Sequence, residues 1–219
     1  MVQEGHWVGW HNAYTDPSSS LSRRLAVVRH RLSDAIDHAP EGPVRLISMC
    51  AGQGRDVIDV LAGHPRRDDV TARLVELDPH LAVDARARAA NAELTNVDVV
   101  EGDASTTSAY EGAVPAQVLM VCGVFGNISD SDVRTTVFEL PRLSTPGATV
   151  IWTRHRRDPD LTPAIRSWFR EAGYDEIAFD TEEGRSFAVG THRLIGAVSP
   201  FRAEHRMFGF VGDGTAARF

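Results

Sequence analysis

Leu46-Ile47-Ser48-Met49-Cys50-Ala51-Gly52-Gln53-Gly54-Arg55-Asp56 is an apolar run that enters a glycine-containing turn and leaves it as a helix. A short apolar run bounded by glycine reads as a buried strand, and Val57, Ile58 and Leu61 after Asp56 start a helical pattern. Gly52 and Gly54 allow a tight turn and close backbone approach by a ligand, while the helix start adds unpaired N–H groups. Such a unit belongs at the carboxyl edge of a parallel sheet, where α/β proteins bind small polar molecules.

The same alternation extends in both directions. Upstream, Leu21, Leu25, Val28, Leu32 and Ile36 recur every three or four residues, which predicts an amphipathic helix over 18–39 ended by Pro40-Glu41-Gly42-Pro43. Strands are expected at 44–49, 72–77, 97–101, 116–122 and 149–153, with helices at 56–62, 79–94, 129–143 and 163–172 between or after them. Strands separated by helix-length segments imply right-handed crossovers and a doubly wound, mainly parallel sheet. Residues 176–181 and 186–196 flank Glu182-Glu183-Gly184-Arg185 and read as an antiparallel hairpin closing one sheet edge. The tail beyond 199 has loop composition at 212–217, preceded by Phe208, Phe210 and Val211, which can dock.

Composition narrows the chemistry. The chain has 219 residues, 42% hydrophobic and 24% charged, and its formal net charge of −7 opposes binding to a polyanion. Nucleic acid is thus not the expected partner, and no apolar run approaches the ~18 residues of a membrane helix. The opening residues carry neither a basic leader nor a continuous apolar stretch, so the expected location is cytoplasmic. All 23 basic residues are arginine. Schiff-base and P-loop mechanisms therefore lack their central lysine. The histidines show no ligand-like spacing, so no metal is expected.

Two acids follow the glycine turn in order. Glu76 ends the second predicted strand, 22 residues beyond Gly54, where an α/β nucleotide site places an acid to accept from the ribose hydroxyls. Asp103 ends the third, placed to accept from an exocyclic amine such as that of adenine. With Leu74-Val75-Glu76-Leu77-Asp78-Pro79, Val99-Val100-Glu101-Gly102-Asp103-Ala104, the 118–128 segment and Pro146-Gly147-Ala148-Thr149-Val150-Ile151, these motifs resemble those of the class I S-adenosylmethionine-dependent methyltransferases. The resemblance covers roughly residues 44–198.

It implies a Rossmann-like seven-stranded sheet whose last strand is antiparallel, with S-adenosylmethionine as cofactor. One domain over 1–219 is expected, with 1–40 as an N-terminal lid and helix, 44–198 as the core and 199–219 as a tail. The cofactor would lie against Cys50, Ala51, Gly52, Gln53, Gly54, Glu76, Leu77, Asp103, Ala104, Cys122 and Gly123. Two positions depart from the family pattern: Ser48 stands where an acid is common and Cys50 where the first glycine is common.

Methyl transfer from a sulfonium is an in-line displacement, so the protein chiefly positions the acceptor and removes a proton where one must leave. His11, Tyr14, His155 and Asn127 are the candidates for that work, and Trp7, Trp10, Phe125 and Arg154 for acceptor binding. The basic turn Arg154-His155-Arg156-Arg157 points to an acidic or heteroaromatic small molecule methylated on oxygen or nitrogen. Cys50 and Cys122 end neighbouring strands in the family's sheet order and are expected to approach each other. The competing class is an NAD(P)-dependent oxidoreductase, whose fingerprint needs a third glycine where Val57 stands. A non-catalytic cofactor-binding partner or sensor is the third class, and either a monomer or a homodimer fits.

Overall fold

The computed structural model describes Asp16 and residues 19–182 and 187–211. Seven strands form one sheet in the order β3-β2-β1-β4-β5-β7-β6. They are β1 (Val44–Met49), β2 (Val70–Glu76), β3 (Val97–Glu101), β4 (Ala116–Val121), β5 (Ser144–Arg154), β6 (Tyr174–Thr181) and β7 (Ala188–Leu194). The pairs among β1 to β5 are parallel, and β7 lies antiparallel between β5 and β6. The expected doubly wound sheet with a terminal hairpin is thus observed, with β7 inserted beside β5 and β6 left at the edge.

Among the described residues five α-helices cover the two faces: α1 (Ser20–Asp37), α2 (Val57–Gly63), α3 (Pro79–Asn91), α4 (Asp130–Leu143) and α5 (Thr162–Glu171). Side-chain caps set several of their starts. The Ser19 hydroxyl accepts from Ser22 N–H, Asp78 from His80 and Leu81 N–H, and Ser129 from Asp132 N–H. Central strands buried on both faces read as continuous apolar runs, which is why β1 and β4 show almost no alternation. One layer joins Leu32, Ile36, Ile58 and Leu61 to Leu46, Leu74, Met120 and Ile151. The opposite layer joins Val137, Ile165 and Phe169 to Ile47, Leu119, Val121 and Trp152.

The connection from β3 to β4 contains a single 3-10 turn, Thr107–Tyr110, and no α-helix. Its cover comes from the 199–211 segment, which runs as a strap between that connection and α4. Ser199 N–H donates to Pro141 O at 3.2 Å, Met207 N–H to Ser105 O at 2.8 Å and Val211 N–H to Asn127 O at 2.9 Å. Antiparallel bridges join Thr106 to Arg206 and Ile128 to Phe210. Met207 and Phe208 are buried in the second layer, so the docking read from the tail's aromatic residues is real at Phe208.

His192 on β7 has a measurable consequence. Its side chain is 1% exposed, its Nδ1 accepts from Trp152 Nε1–H at 3.2 Å, and its ring stacks 4.3 Å from Phe169. Burial lowers its pKa to about 4, with Glu176 opposing and Arg166 and Arg170 reinforcing the shift. The unfolded chain takes up this proton near pH 6.5 and the native state only near 4, so stability falls as pH drops through that interval and levels off below it. The expected loss is on the order of 3 kcal/mol. Denaturant titrations at pH 7.5 and pH 4.5 will show it, and His192→Gln, which keeps an acceptor for the indole, will flatten the dependence.

Candidate active site

The turn after β1 sits at the carboxyl edge. Cys50 adopts φ 53°, Gly52 φ 55° and Gly54 φ 64°. A β-carbon at Gly54 would lie 2.7 Å from Ile58 Cδ1 and 2.8 Å from Leu74 Cδ2, whereas at Gly52 nothing lies within 4 Å. The two glycines therefore do different work: Gly54 lets the helix close on the sheet, and Gly52 leaves the backbone open to a ligand.

Glu76, 8% exposed, ends β2 facing this turn. Its Oε2 accepts from Gly52 N–H at 2.7 Å and its Oε1 from Asp78 N–H at 2.9 Å. Each carboxylate oxygen keeps a further lone pair for an incoming hydroxyl. Asp103 follows β3, with Oδ1 accepting from Ser105 N–H at 2.9 Å. Leu77 stands 62% exposed beside Glu76, while Ala104 is buried and its carbonyl accepts from Tyr110 O–H at 2.8 Å. Gln53 turns outward, donating to Asp84 and accepting from Arg55, both at 2.7 Å.

Cys50 lies on the Glu76 and Asp103 side, where burial and those two acids push its thiol up to about 12. Cys122 packs into the opposite layer with Met120 and Ile151, and burial pushes its thiol up as well. The expectation that the two thiols meet is thus corrected: residues at the ends of neighbouring strands can face opposite sides of the sheet, and both cysteines are free. Ser48 is buried, and Asp56 caps α2 by accepting from Val57 N–H at 2.8 Å.

The acceptor side departs further from expectation. Phe125 is 0% exposed, its ring 6.0 Å from that of Trp152 in the core, so its expected substrate contact is corrected to a packing role. Arg154, 9% exposed, donates to Phe125 O and faces Asp130 Oδ1 at 3.5 Å. The guanidinium expected to clamp an acceptor instead secures the loop after β4, and Arg156 is paired with Asp160 at 3.1 Å. Asn127 donates from Nδ2 to Gly123 O at 2.6 Å, and Gly123 N–H reaches Thr153 Oγ1 at 2.9 Å. His155 lies where a β-carbon on Gly126 would be 3.5 Å from its Cδ2. Burial first, then Arg154 and Arg157, lower its pKa, which favours neutral imidazole. Trp7, Trp10, His11 and Tyr14 lie outside the described residues. Among the described residues no group of three or more His, Cys, Asp or Glu could hold a metal, and no helix is long and apolar enough to cross a membrane.

The strand order, the lone antiparallel strand and the glycine turn followed by acids at the ends of β2 and β3 define a class I, Rossmann-like methyltransferase architecture. A family model described as "Putative methyltransferase" matches residues 20–170, and the chain belongs to that family. No curated protein matches the chain in sequence. Among solved structures it is similar to magnesium protoporphyrin IX methyltransferase from Synechocystis PCC 6803 with bound S-adenosylmethionine, with TM-score 0.65, 8% identity, and coverage of 87% of this chain and 92% of that one. It is also similar to 1,6-didemethyltoxoflavin-N1-methyltransferase from Burkholderia thailandensis, with TM-score 0.63, 15% identity, and 86% and 83% covered. A possible exported protein from Bordetella parapertussis gives TM-score 0.63, 17% identity, and 80% and 68% covered. At these identities the likeness shows the fold alone.

Proposed function

We propose that this methyltransferase uses S-adenosylmethionine to methylate an oxygen or nitrogen atom of a small molecule. The observation that carries the reading is the buried Glu76 carboxylate, which braces the open Gly52 turn at the carboxyl edge. The residues fit the cofactor: Glu76 has lone pairs for both ribose hydroxyls, Asp103 accepts from the adenine amine, and the bare Gly52 backbone admits the methionine portion. Bound there, S-adenosylmethionine supplies an electrophilic methyl group on sulfur.

The chain's own groups orient the acceptor and handle its proton. His155, kept neutral by burial and its arginine neighbours, is the proposed base for the acceptor's proton. Asn127 is held by Gly123 at the start of the same loop and orients the acceptor from there. His11 and Tyr14 complete the proposed catalytic set, and Trp7 and Trp10 the proposed acceptor-binding set. Val57, fully buried against the sheet, stands where a dinucleotide fingerprint needs glycine, which counts against the oxidoreductase reading.

Calorimetric titration with S-adenosylmethionine, S-adenosylhomocysteine, NAD and NADP tests the proposal. Micromolar binding of the two sulfur nucleotides is expected, followed by methyl transfer in a screen of small acidic and heteroaromatic acceptors. Binding of NAD or NADP alone would overturn it.

A further inference from the structure

Asp103 is held from two directions, and one of them is far away in sequence. Its Oδ1 accepts from Ser105 N–H, and its Oδ2 meets Arg206 Nη2 at 3.2 Å. Arg206 arrives on the strap, which is registered against the loop after β3. Thr107 N–H donates to His205 O at 2.9 Å, His205 N–H to Thr107 Oγ1 at 3.0 Å, and Met207 N–H to Ser105 O at 2.8 Å. Beyond the arginine, Gly209 N–H donates to Asp132 Oδ2 at 3.1 Å and ties the strap to the first turn of α4. The guanidinium therefore projects from a backbone fixed on both sides, with Met207 and Phe208 buried next to it.

A carboxylate on a free χ2 torsion rotates broadly, and a charge-assisted bond to one oxygen fixes the direction of the other lone pairs. We propose that Arg206 is a positioning residue for purine recognition: by holding one oxygen of Asp103 it aims the carboxylate at the cofactor's exocyclic amine. This rests on the S-adenosylmethionine reading above and adds to it the dependence of base selectivity on the 199–211 strap. The electrostatics agree, since burial pushes the Asp103 carboxyl up but the Ser105 and Arg206 contacts outweigh it and hold the group below the usual carboxylate range. A carboxylate fixed in this way also repels a purine that presents a carbonyl oxygen at the same place.

The test compares S-adenosylhomocysteine with S-inosylhomocysteine, which carries a carbonyl oxygen in place of the amine, by calorimetry on wild type, Arg206→Gln and Arg206→Lys. Wild type is expected to prefer the adenosyl ligand by about tenfold or more. Arg206→Gln should weaken the adenosyl ligand about fivefold while leaving the inosyl ligand within about twofold, so the preference shrinks. Arg206→Lys should recover part of it. If Arg206→Gln keeps the wild-type preference, whether both ligands weaken together or neither changes, Arg206 only fastens the strap and the inference is overturned alone. A wild type that binds neither ligand would overturn the cofactor reading and this inference with it.

Discussion

Glu76→Ala should raise the Kd for S-adenosylhomocysteine by about two orders of magnitude or more. The removed carboxylate would carry two charge-assisted bonds to ribose, each worth on the order of 1.5–3 kcal/mol, and ~1.4 kcal/mol is a tenfold change in affinity. The same carboxylate accepts from Gly52 and Asp78 N–H, so its loss also frees the turn on which the ligand rests. Glu76→Gln separates the two roles, because its amide keeps one acceptor oxygen but presents a donor where the other oxygen stood. Calorimetry on both variants, with a thermal melt beside each, gives the readout. A Kd within about threefold of wild type for Glu76→Ala in a folded protein would remove Glu76 from the cofactor site.

The second large effect concerns stability. Gly190→Ala is expected to destabilise the fold by on the order of 3 kcal/mol, since an extra methyl in a packed interior forces neighbouring groups off their rotamers. A β-carbon on Gly190 would overlap the indole of Trp152. That ring has little freedom to retreat: it is fully buried, lies 6.0 Å from Phe169 in a stacked arrangement and donates to His192 Nδ1. The strand is equally constrained, for β7 is paired on both sides, with Gly190 opposite Trp152 on β5 and Phe179 on β6. Urea denaturation followed by tryptophan fluorescence measures the loss, and a change under about 1 kcal/mol would mean that the indole finds another seat.

These two positions show what a single sequence reveals. Glu76 was legible because an acid at a strand end, at a set distance beyond a glycine turn, is a local pattern with a chemical reason behind it. Strand β1 falls where its apolar run places it, since a central parallel strand buries both faces, and β3 at the sheet edge also keeps its expected bounds. Gly190 carried no signal, because the group that excludes a side chain there, Trp152, is contributed by a different strand. The same limit applies to Phe125 and Arg154. Each has the residue type of a substrate contact, yet the tertiary packing turns one into the core and spends the other on the carbonyl of Phe125. Strand β5 begins at Ser144, ahead of the expected start, since Thr145-Pro146-Gly147 looks like a turn while pairing to β4 already begins at Ser144. The fold and the placement of Glu76 against the glycine turn were therefore readable, and the settings of Phe125 and Arg154 were not, because they depend on contacts between distant segments.

The strap brings a kinetic consequence. Asp103 and Arg206 are 103 residues apart in the chain, and Thr107 and His205 are 98 apart. Closing loops of that length costs chain entropy before the new contacts repay it, and non-local pairings of this kind slow folding. The strands β1 to β3 can collapse early around nearer neighbours, while the loop that carries Asp103 waits for residues 199–211 to arrive. The Asp103–Arg206 contact is therefore expected to form late in folding, so purine binding should recover after the central sheet does when refolding is followed by stopped-flow.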